Sequence, residues 1–318
     1  MMVLPYFVGM SYPAGLMAFL AVIILHAERP GGFNRPDRSQ KPARSMTTIR
    51  QRILDTLSGH PGIYAVAFRN LATGEEILIR EKETFHAAST MKVPVMIAVF
   101  KQAAAGRFSL SDPVMVKNTF KSIVDNSEYR LHPEDDSEQD LYHQAGTQRP
   151  LSDLVCRMII KSSNLATNIV IELVGGQYVT QAMRELGAKD IQVLRGVEDG
   201  KAYRAGLNNT TTAYDLMLIF EKMAQGATVS PAASKEMINI LLDQRFNSII
   251  PAQLPAGVKV AHKTGEITGV RHDAGIVFLP DGRRYVLVLL SKELESAEEG
   301  AQAMAAVSRM IYGHVTGK

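Results

Sequence analysis

The chain has 318 residues, 46% hydrophobic and 21% charged. That length and balance provide for a buried core and exclude a disordered, collagenous or coiled-coil protein. A net charge of +3, from 35 basic and 32 acidic residues, gives no electrostatic footprint for nucleic acid. One cysteine, Cys156, rules out an internal disulfide and a cysteine-built zinc site; it falls on an apolar helical face and reads as core. The histidines form no HExxH pair. No EF-hand spacing surrounds the acidic knot Glu134-Asp135-Asp136, which reads as a solvated loop. Neither a metal nor a cofactor is expected.

Met1 to Leu25 carries no charged side chain; Glu28 is the first, followed by Arg29, Arg35, Arg38, Lys41 and Arg44. Residues 1–27 read as a signal peptide or membrane anchor, with Gly15 to Leu25 as the apolar run and His26-Ala27 as a weak cleavage point. No Lys or Arg precedes the run, and the positive-inside rule would keep the basic flank in the cytoplasm. A start codon placed too early gives the same pattern. The expectation is an exported, periplasmic or extracytoplasmic protein. Residues 28–46 are rich in Pro, Gly and Arg and read as a linker, with one folded domain over 47–318.

Within that domain, Ile49, Ile53, Leu54 and Leu57 mark a helical face. Ile63 to Phe68 and Glu76 to Arg80 predict a hairpin about Ala72-Thr73-Gly74. Met91 to Ala105 is apolar with helical length, and residues 112–150 are polar and irregular. Leu151–Ile160, Leu165–Val174 and Val179–Leu186 read as helices, Ile191 to Asn209 as a loop, and Thr212–Met223 and Pro231–Leu242 as helices again. Val258–His262, Gly275–Leu279 and Tyr285–Leu290 are predicted strands, before a closing helix over Ala297–Ile311. The fold class is α+β: an antiparallel sheet of about five strands from both ends of the domain, flanked by helices, with an inserted all-helical lobe.

Three short motifs carry chemistry. Ser89-Thr90-Met91-Lys92 lies where a polar stretch enters an apolar helix. Residues three apart share a helical face, so the Lys92 amine is within reach of the Ser89 hydroxyl. A lysine neutralised by burial or neighbouring cations can act as base. Taken alone, the pattern also describes an N-cap serine and a surface lysine. Ser162-Ser163-Asn164 falls in a break between helices, where a hydroxyl and a carboxamide can relay a proton and meet a substrate amide; an N-cap is the plain alternative. Lys263-Thr264-Gly265 ends a predicted strand, with a cation, a hydroxyl and a glycine that admits a close ligand. Neighbouring His262 points to the other strand face and reads as packing.

In this order, and at a helix start, an inter-helix loop and a strand edge, the motifs resemble those of the class A β-lactamases and the wider penicillin-recognising serine enzymes. The likeness extends to Leu165-Ala166-Thr167-Asn168 and Thr210-Thr211-Thr212. The resemblance implies Ser89 as acylated nucleophile, Lys92 as its base or relay, Ser162 as proton donor to the leaving nitrogen, and Lys263 tuning the field. Asn164 would bind a substrate amide, Thr264 a substrate carboxylate, and the Ser89 and Glu266 N–H groups beside Gly265 the oxyanion. The deacylating glutamate would be Glu198, with Asp199 as rival, on a rebuilt loop whose Leu-Asn pair comes only at Leu207-Asn208. Ser163 stands where the family usually has aspartate. Glu266 is unusually acidic, to be offset by Arg271 or His272, and Phe120 to Gln148 is long. The implied activity is β-lactam hydrolysis by a monomer whose partner is a small β-lactam or peptide-like amide. A β-lactam-binding D-alanyl peptidase or amidase and a slowly cleared acylated sensor are the alternatives.

Overall fold

The computed structural model describes the backbone of residues 41–318 and the side chains of 48–318. The expected leader or anchor, 1–27, lies outside the described residues, as does 28–40 of the expected linker. Helix α1 (Lys41–Ser58) begins inside that linker stretch. The glycines and most prolines of the stretch lie upstream, and Pro42 falls in the first turn, where its missing N–H costs nothing.

Strands β1 (Ile63–Asn70) and β2 (Glu76–Ile79) follow. Next come β3 (Phe85–His86), a 3₁₀ turn (Ala88–Met91) and helix α2 (Lys92–Ala104). The polar middle folds into short strands: β4 (Pro113–Met115), β5 (Phe120–Lys121), β6 (Glu128–Tyr129) and β7 (Gln148–Pro150). The lobe then runs through α3 (Leu151–Ile160), α4 (Asn164–Val174), α5 (Gly176–Glu185), α6 (Gly200–Arg204), β8 (Thr210–Thr211), α7 (Ala213–Ala224) and α8 (Pro231–Leu242). Strands β9 (Lys259–Ile267), β10 (Val270–Phe278) and β11 (Arg284–Lys292) precede α9 (Ala297–Thr316).

The main sheet is five-stranded and antiparallel, ordered β2-β1-β11-β10-β9, so the two ends of the domain meet at the β1–β11 pair. Alternation divides each strand between two cores. On β11, Tyr285, Leu287 and Leu289 pack with Ile49 and Ile53 of α1 and Val307 and Ile311 of α9. Val286, Val288 and Leu290 face the helical lobe. Both faces are covered, so these strands read as near-continuous apolar runs. Among the described residues, no helix is long and apolar enough to cross a membrane.

Expectations also change at Cys156 and at the end of β9. Cys156 is half-buried: the α3 core stripe is Leu151, Leu154, Val155, Met158 and Ile159, and Cys156 lies on its flank. Strand β9 runs on to Ile267, placing Lys263-Thr264-Gly265 inside it, and β10 begins at Val270. The buried polar residues His262, Lys263 and Asp273 interrupt the apolar pattern that marks a strand.

Gly275 is where β10 comes close to β9: a Cβ there would lie 2.5 Å from the Ala261 carbonyl oxygen and 2.5 Å from His262 Cβ. Gly275→Ala is expected to destabilise the domain by about 1–3 kcal/mol, as overpacking does, in urea denaturation. A loss under about 0.5 kcal/mol would show that the strands part there without strain.

Candidate active site

Three chain segments converge beside the edge of the sheet. The first enters through β3, paired with β8, and Ala87 N–H donates to the Asn209 carbonyl at 2.8 Å. Ala88 follows at φ 44°, a left-handed conformation uncommon for a residue with a Cβ. The tight turn it starts leaves Ser89 half-buried at the surface while α2 runs directly into the core. Lys92, first residue of α2, is fully buried.

The second segment is the α3–α4 break. Ser162 is also left-handed, φ 56°, and Ser163 caps α4 by accepting Ala166 N–H at 3.2 Å. Lys92 Nζ donates here, to the Ser162 carbonyl (2.6 Å), Asn164 Oδ1 (2.9 Å) and Ser162 Oγ (3.3 Å). Lys92 makes no hydrogen bond to Ser89: the amine satisfies its three donors on this loop, and Ser89 Oγ hydrogen-bonds to none of the described residues.

The third segment is β9. Lys263 is fully buried, and its Nζ donates to Ser162 Oγ at 3.0 Å and the Thr264 carbonyl at 2.8 Å. At Gly265 the strand runs against the Ser89 turn, where a Cβ would lie 3.1 Å from Ser89 N and 3.2 Å from Thr90 N. Any larger side chain would require the turn to give by a few tenths of an ångström. Two lysine amines thus share one hydroxyl as acceptor. With its lone pairs engaged, the Ser162 hydroxyl keeps its single proton for another partner.

Burial disfavours the charged lysine and brings Lys92 down to about 7, against the pull of Asp136 and Glu198. Lys263 lies well below the ordinary lysine value, through burial first and then the charge of Lys92, opposed by Asp273.

Glu198 and Asp199 are neighbours in sequence with opposite placements. Asp199 is buried away from the lysines: it accepts from the Ser122 hydroxyl (2.9 Å), Ile123 N–H (3.0 Å) and Ala202 N–H (3.0 Å), capping α6 and holding the β5–β6 hairpin. Glu198, left-handed at φ 61°, accepts Asn164 Nδ2 at 2.7 Å. Burial raises its carboxyl above the usual range, Asn164 opposing and the charges of Asp136 and Asp135 adding. The side chain of Asn164 therefore bridges Glu198 and Lys92.

The loop bearing Glu198 is held by residues to which sequence reasoning assigns no role. Asn168 accepts Val197 N–H (2.7 Å) and donates to the Val197 carbonyl (3.0 Å). Arg195, buried, donates to Leu207 O (2.9 Å), Gly196 O (3.0 Å) and Asn208 Oδ1 (3.1 Å). Asn168 carries a signal: it lies one helical turn beyond Asn164. The acidic knot is also not all solvated. Glu134 and Asp135 are exposed, but Asp136 is buried, with its carboxylate against the start of α4.

Beside Thr264 lies a hollow of about 300 Å³ whose lining includes Arg245, Asn247, Thr264, Gly265, Glu266 and Arg271. Arg271 pairs with Glu266. His272 offers no compensation: burial takes its imidazole down to about 4, and its ring bonds to the His86 carbonyl and Ser291 N–H. His262 is buried between Asp273 Oδ1 (2.8 Å) and Asn247 Oδ1 (3.1 Å). A larger hollow of about 550 Å³ between α1 and α9 holds none of the three motifs. No cluster of metal-ligating side chains occurs among the described residues.

The same elements recur in known proteins. The chain is 25% identical over 283 residues to a beta-lactamase of Bacteroides uniformis, covering 85% of this chain and 92% of that one. It is 24% identical over 278 residues to the extended-spectrum beta-lactamase PER-1 of Pseudomonas aeruginosa, covering 83% and 86%. Among solved structures, PBP-A superposes with a TM-score of 0.74 at 28% identity, covering 86% of this chain and 97% of that one. A beta-lactamase from Sphaerobacter thermophilus superposes with a TM-score of 0.73 at 25% identity, with the same coverages. The profile of the beta-lactamase enzyme family (Beta-lactamase2) matches residues 48–315, from α1 through α9 and across all three motif segments, and the chain belongs to that family.

Proposed function

We propose that this protein is a serine hydrolase that opens the β-lactam amide through an acyl-enzyme on Ser89. The observation that carries the reading is the meeting of two buried, pKa-lowered lysines on Ser162 Oγ beside the Ser89 turn. Near pH 7 a substantial fraction of Lys92 is neutral and takes the Ser89 proton, directly or through Ser162. The alkoxide adds to the lactam carbonyl, and the Ser89 and Glu266 N–H groups receive the oxyanion; one such donor is worth about 3 kcal/mol. Collapse breaks the C–N bond as Ser162 protonates the nitrogen, and the lysines restore its proton. Glu198 then deprotonates a water that adds to the ester carbonyl, and as the ester C–O bond breaks that proton is returned to Ser89 Oγ, leaving Glu198 ionised again. The names of the related beta-lactamases support this substrate class.

A second reading has its own support. A mutant of PBP-A, 28% identical to this chain, was solved as an acyl-enzyme complex with penicillin G. An adduct of that kind that persisted here would mark a β-lactam-binding peptidase or amidase, or a sensor that clears its adduct slowly. In either reading we propose residues 47–318 as one monomeric catalytic domain, delivered to the extracytoplasmic side by the uncharged stretch 1–25, as cleaved leader or anchor.

Intact mass after mixing with a chromogenic cephalosporin distinguishes these readings. Turnover with a transient adduct is expected of the wild type, and no adduct of Ser89→Ala. Glu198→Gln should hold the adduct, with clearance slowed about 100-fold or more. Unchanged clearance would remove Glu198 as the base, and one equivalent of product without turnover would favour the second reading. The rate of acylation should rise with pH through about 7 as Lys92 loses its proton. A rise confined to the ordinary lysine range would exclude that amine as base.

Glu266 also bears on substrate choice. Its carboxylate occupies Arg271, one of the two arginines lining the hollow beside Thr264, and so competes with any carboxylate on the substrate. Glu266→Gln is expected to lower KM for carboxylate-bearing β-lactams several-fold with kcat little changed, since ground and transition states gain alike. An unchanged KM in steady-state kinetics would show that Arg271 does not meet the substrate.

A further inference from the structure

Of the three motifs, the second departs furthest from its family: Ser163 replaces the usual acid. A different acid reaches the same helix start from the segment between β6 and α3. Asp136 is 5% exposed, while Glu134 and Asp135 before it are open to solvent. Its Oδ2 accepts the N–H groups of Asn164 and Leu165, each at 2.9 Å, and the Tyr142 hydroxyl at 3.0 Å. Its Oδ1 accepts Glu138 N–H at 3.1 Å. Ser163 meanwhile satisfies only Ala166 N–H, with a neutral hydroxyl. The open donors of α4 are thus divided between a local serine and a distant carboxylate, and the helix dipole favours the negative partner.

The segment is held firmly. Glu138, buried, accepts from Arg157 (2.7 Å) and Lys161 (3.3 Å), and the Ser137 hydroxyl donates to the Lys161 carbonyl at 2.6 Å. Asp136 is therefore fixed against Asn164, whose side chain reaches Lys92 on one side and Glu198 on the other. The charged groups acting on Lys92 are Asp136, Glu198 and Lys263; those acting on Glu198 are Asp136, Asp135 and Lys92.

We infer that Asp136 is a positioning residue of this active site, supplying from the β6–α3 segment the buried negative charge that an acid at position 163 would otherwise supply. It acts through Asn164 and by its field on Lys92 and Glu198. The inference rests on the proposed hydrolase reading for its consequence in catalysis, but not for its electrostatics.

The sign of the effect is fixed. A negative charge favours protonated Lys92 and disfavours ionised Glu198, so it moves both titrations to higher pH. Removing it must move both to lower pH. The experiment follows the Lys92 amine by NMR titration of protein carrying ¹³C-labelled lysine Cε, assigned by its loss in Lys92→Met. In parallel, kcat/KM against a chromogenic cephalosporin is measured across pH. Asp136→Asn is expected to shift the Lys92 titration and the ascending limb of the profile to lower pH by about one unit. Adding Ser163→Asp to Asp136→Asn should move both back towards wild type. Tyr142→Phe, which removes a hydrogen bond but no charge, should leave them in place.

An unmoved titration in Asp136→Asn, even with activity lost at every pH, reduces Asp136 to a structural cap and overturns the inference. So does a double variant that stays displaced. If Asp136→Asn does not fold, the exchange Asp136→Ser with Ser163→Asp decides: a wild-type titration supports the inference and a displaced one refutes it. Wild-type protein that titrates as expected but never acylates would sink the hydrolase reading alone.

Discussion

The site depends on two ammonium groups being taken out of water together and brought to one hydroxyl. Lys92 comes from the start of α2 and Lys263 from the interior of β9, and Ser162 Oγ lies between them. Like charges this close repel, and burial penalises each further, so the cluster holds fewer protons than the same lysines in water. The result is an amine, Lys92, that is partly unprotonated near neutral pH. The surrounding polar groups answer to that cluster. The Ser162 and Thr264 carbonyls and Asn164 Oδ1 satisfy the N–H donors, while Asp136, Glu198 and Asp273 provide opposing charge.

The fold makes this burial possible. A sheet covered on both faces gives a rigid strand on which Lys263 cannot retreat to solvent. The α3–α4 break is pinned from below by α3 and from the side by the β6–α3 segment. Helix α2 points its first residue into the same space. Rigid elements therefore set the relative positions of the cluster, and the loop bearing Glu198 is fastened to the lobe through Asn168 and Arg195.

Much of this is legible in the chain. The helices of the lobe announce themselves by apolar spacing, and Pro231–Leu242 is bounded as expected because Ser230 caps it and proline starts it. The three motifs are legible because the chemistry demands particular residue types and the fold delivers them in one order along the chain. What escapes is polar and buried. From sequence, strand β9 reads as ending at His262 because Lys263 and Thr264 look like surface residues, although they are interior to it. Asp136 is hidden among acids that really are solvated, and only the start of α4, distant in sequence, distinguishes it. Glu198 and Asp199 are separated by backbone direction, which composition does not encode. Cys156 reads as core because a helical stripe has a flank that spacing alone resolves poorly.

Ala88, Ser162 and Glu198 share the left-handed backbone region, one in each of three stretches that border the site. Such residues carry roughly 1–3 kcal/mol of strain apiece, sustained by the packing around them. The consequence is a narrow mutational neighbourhood. For the backbone alone, glycine, asparagine or aspartate is a tolerable step at each of these places and a β-branched side chain is not, but the side-chain roles proposed for Ser162 and Glu198 narrow the choice further. Descendants of this chain are thus freer to drift at the rim of the cleft than at these three turns, whatever substrate selection favours.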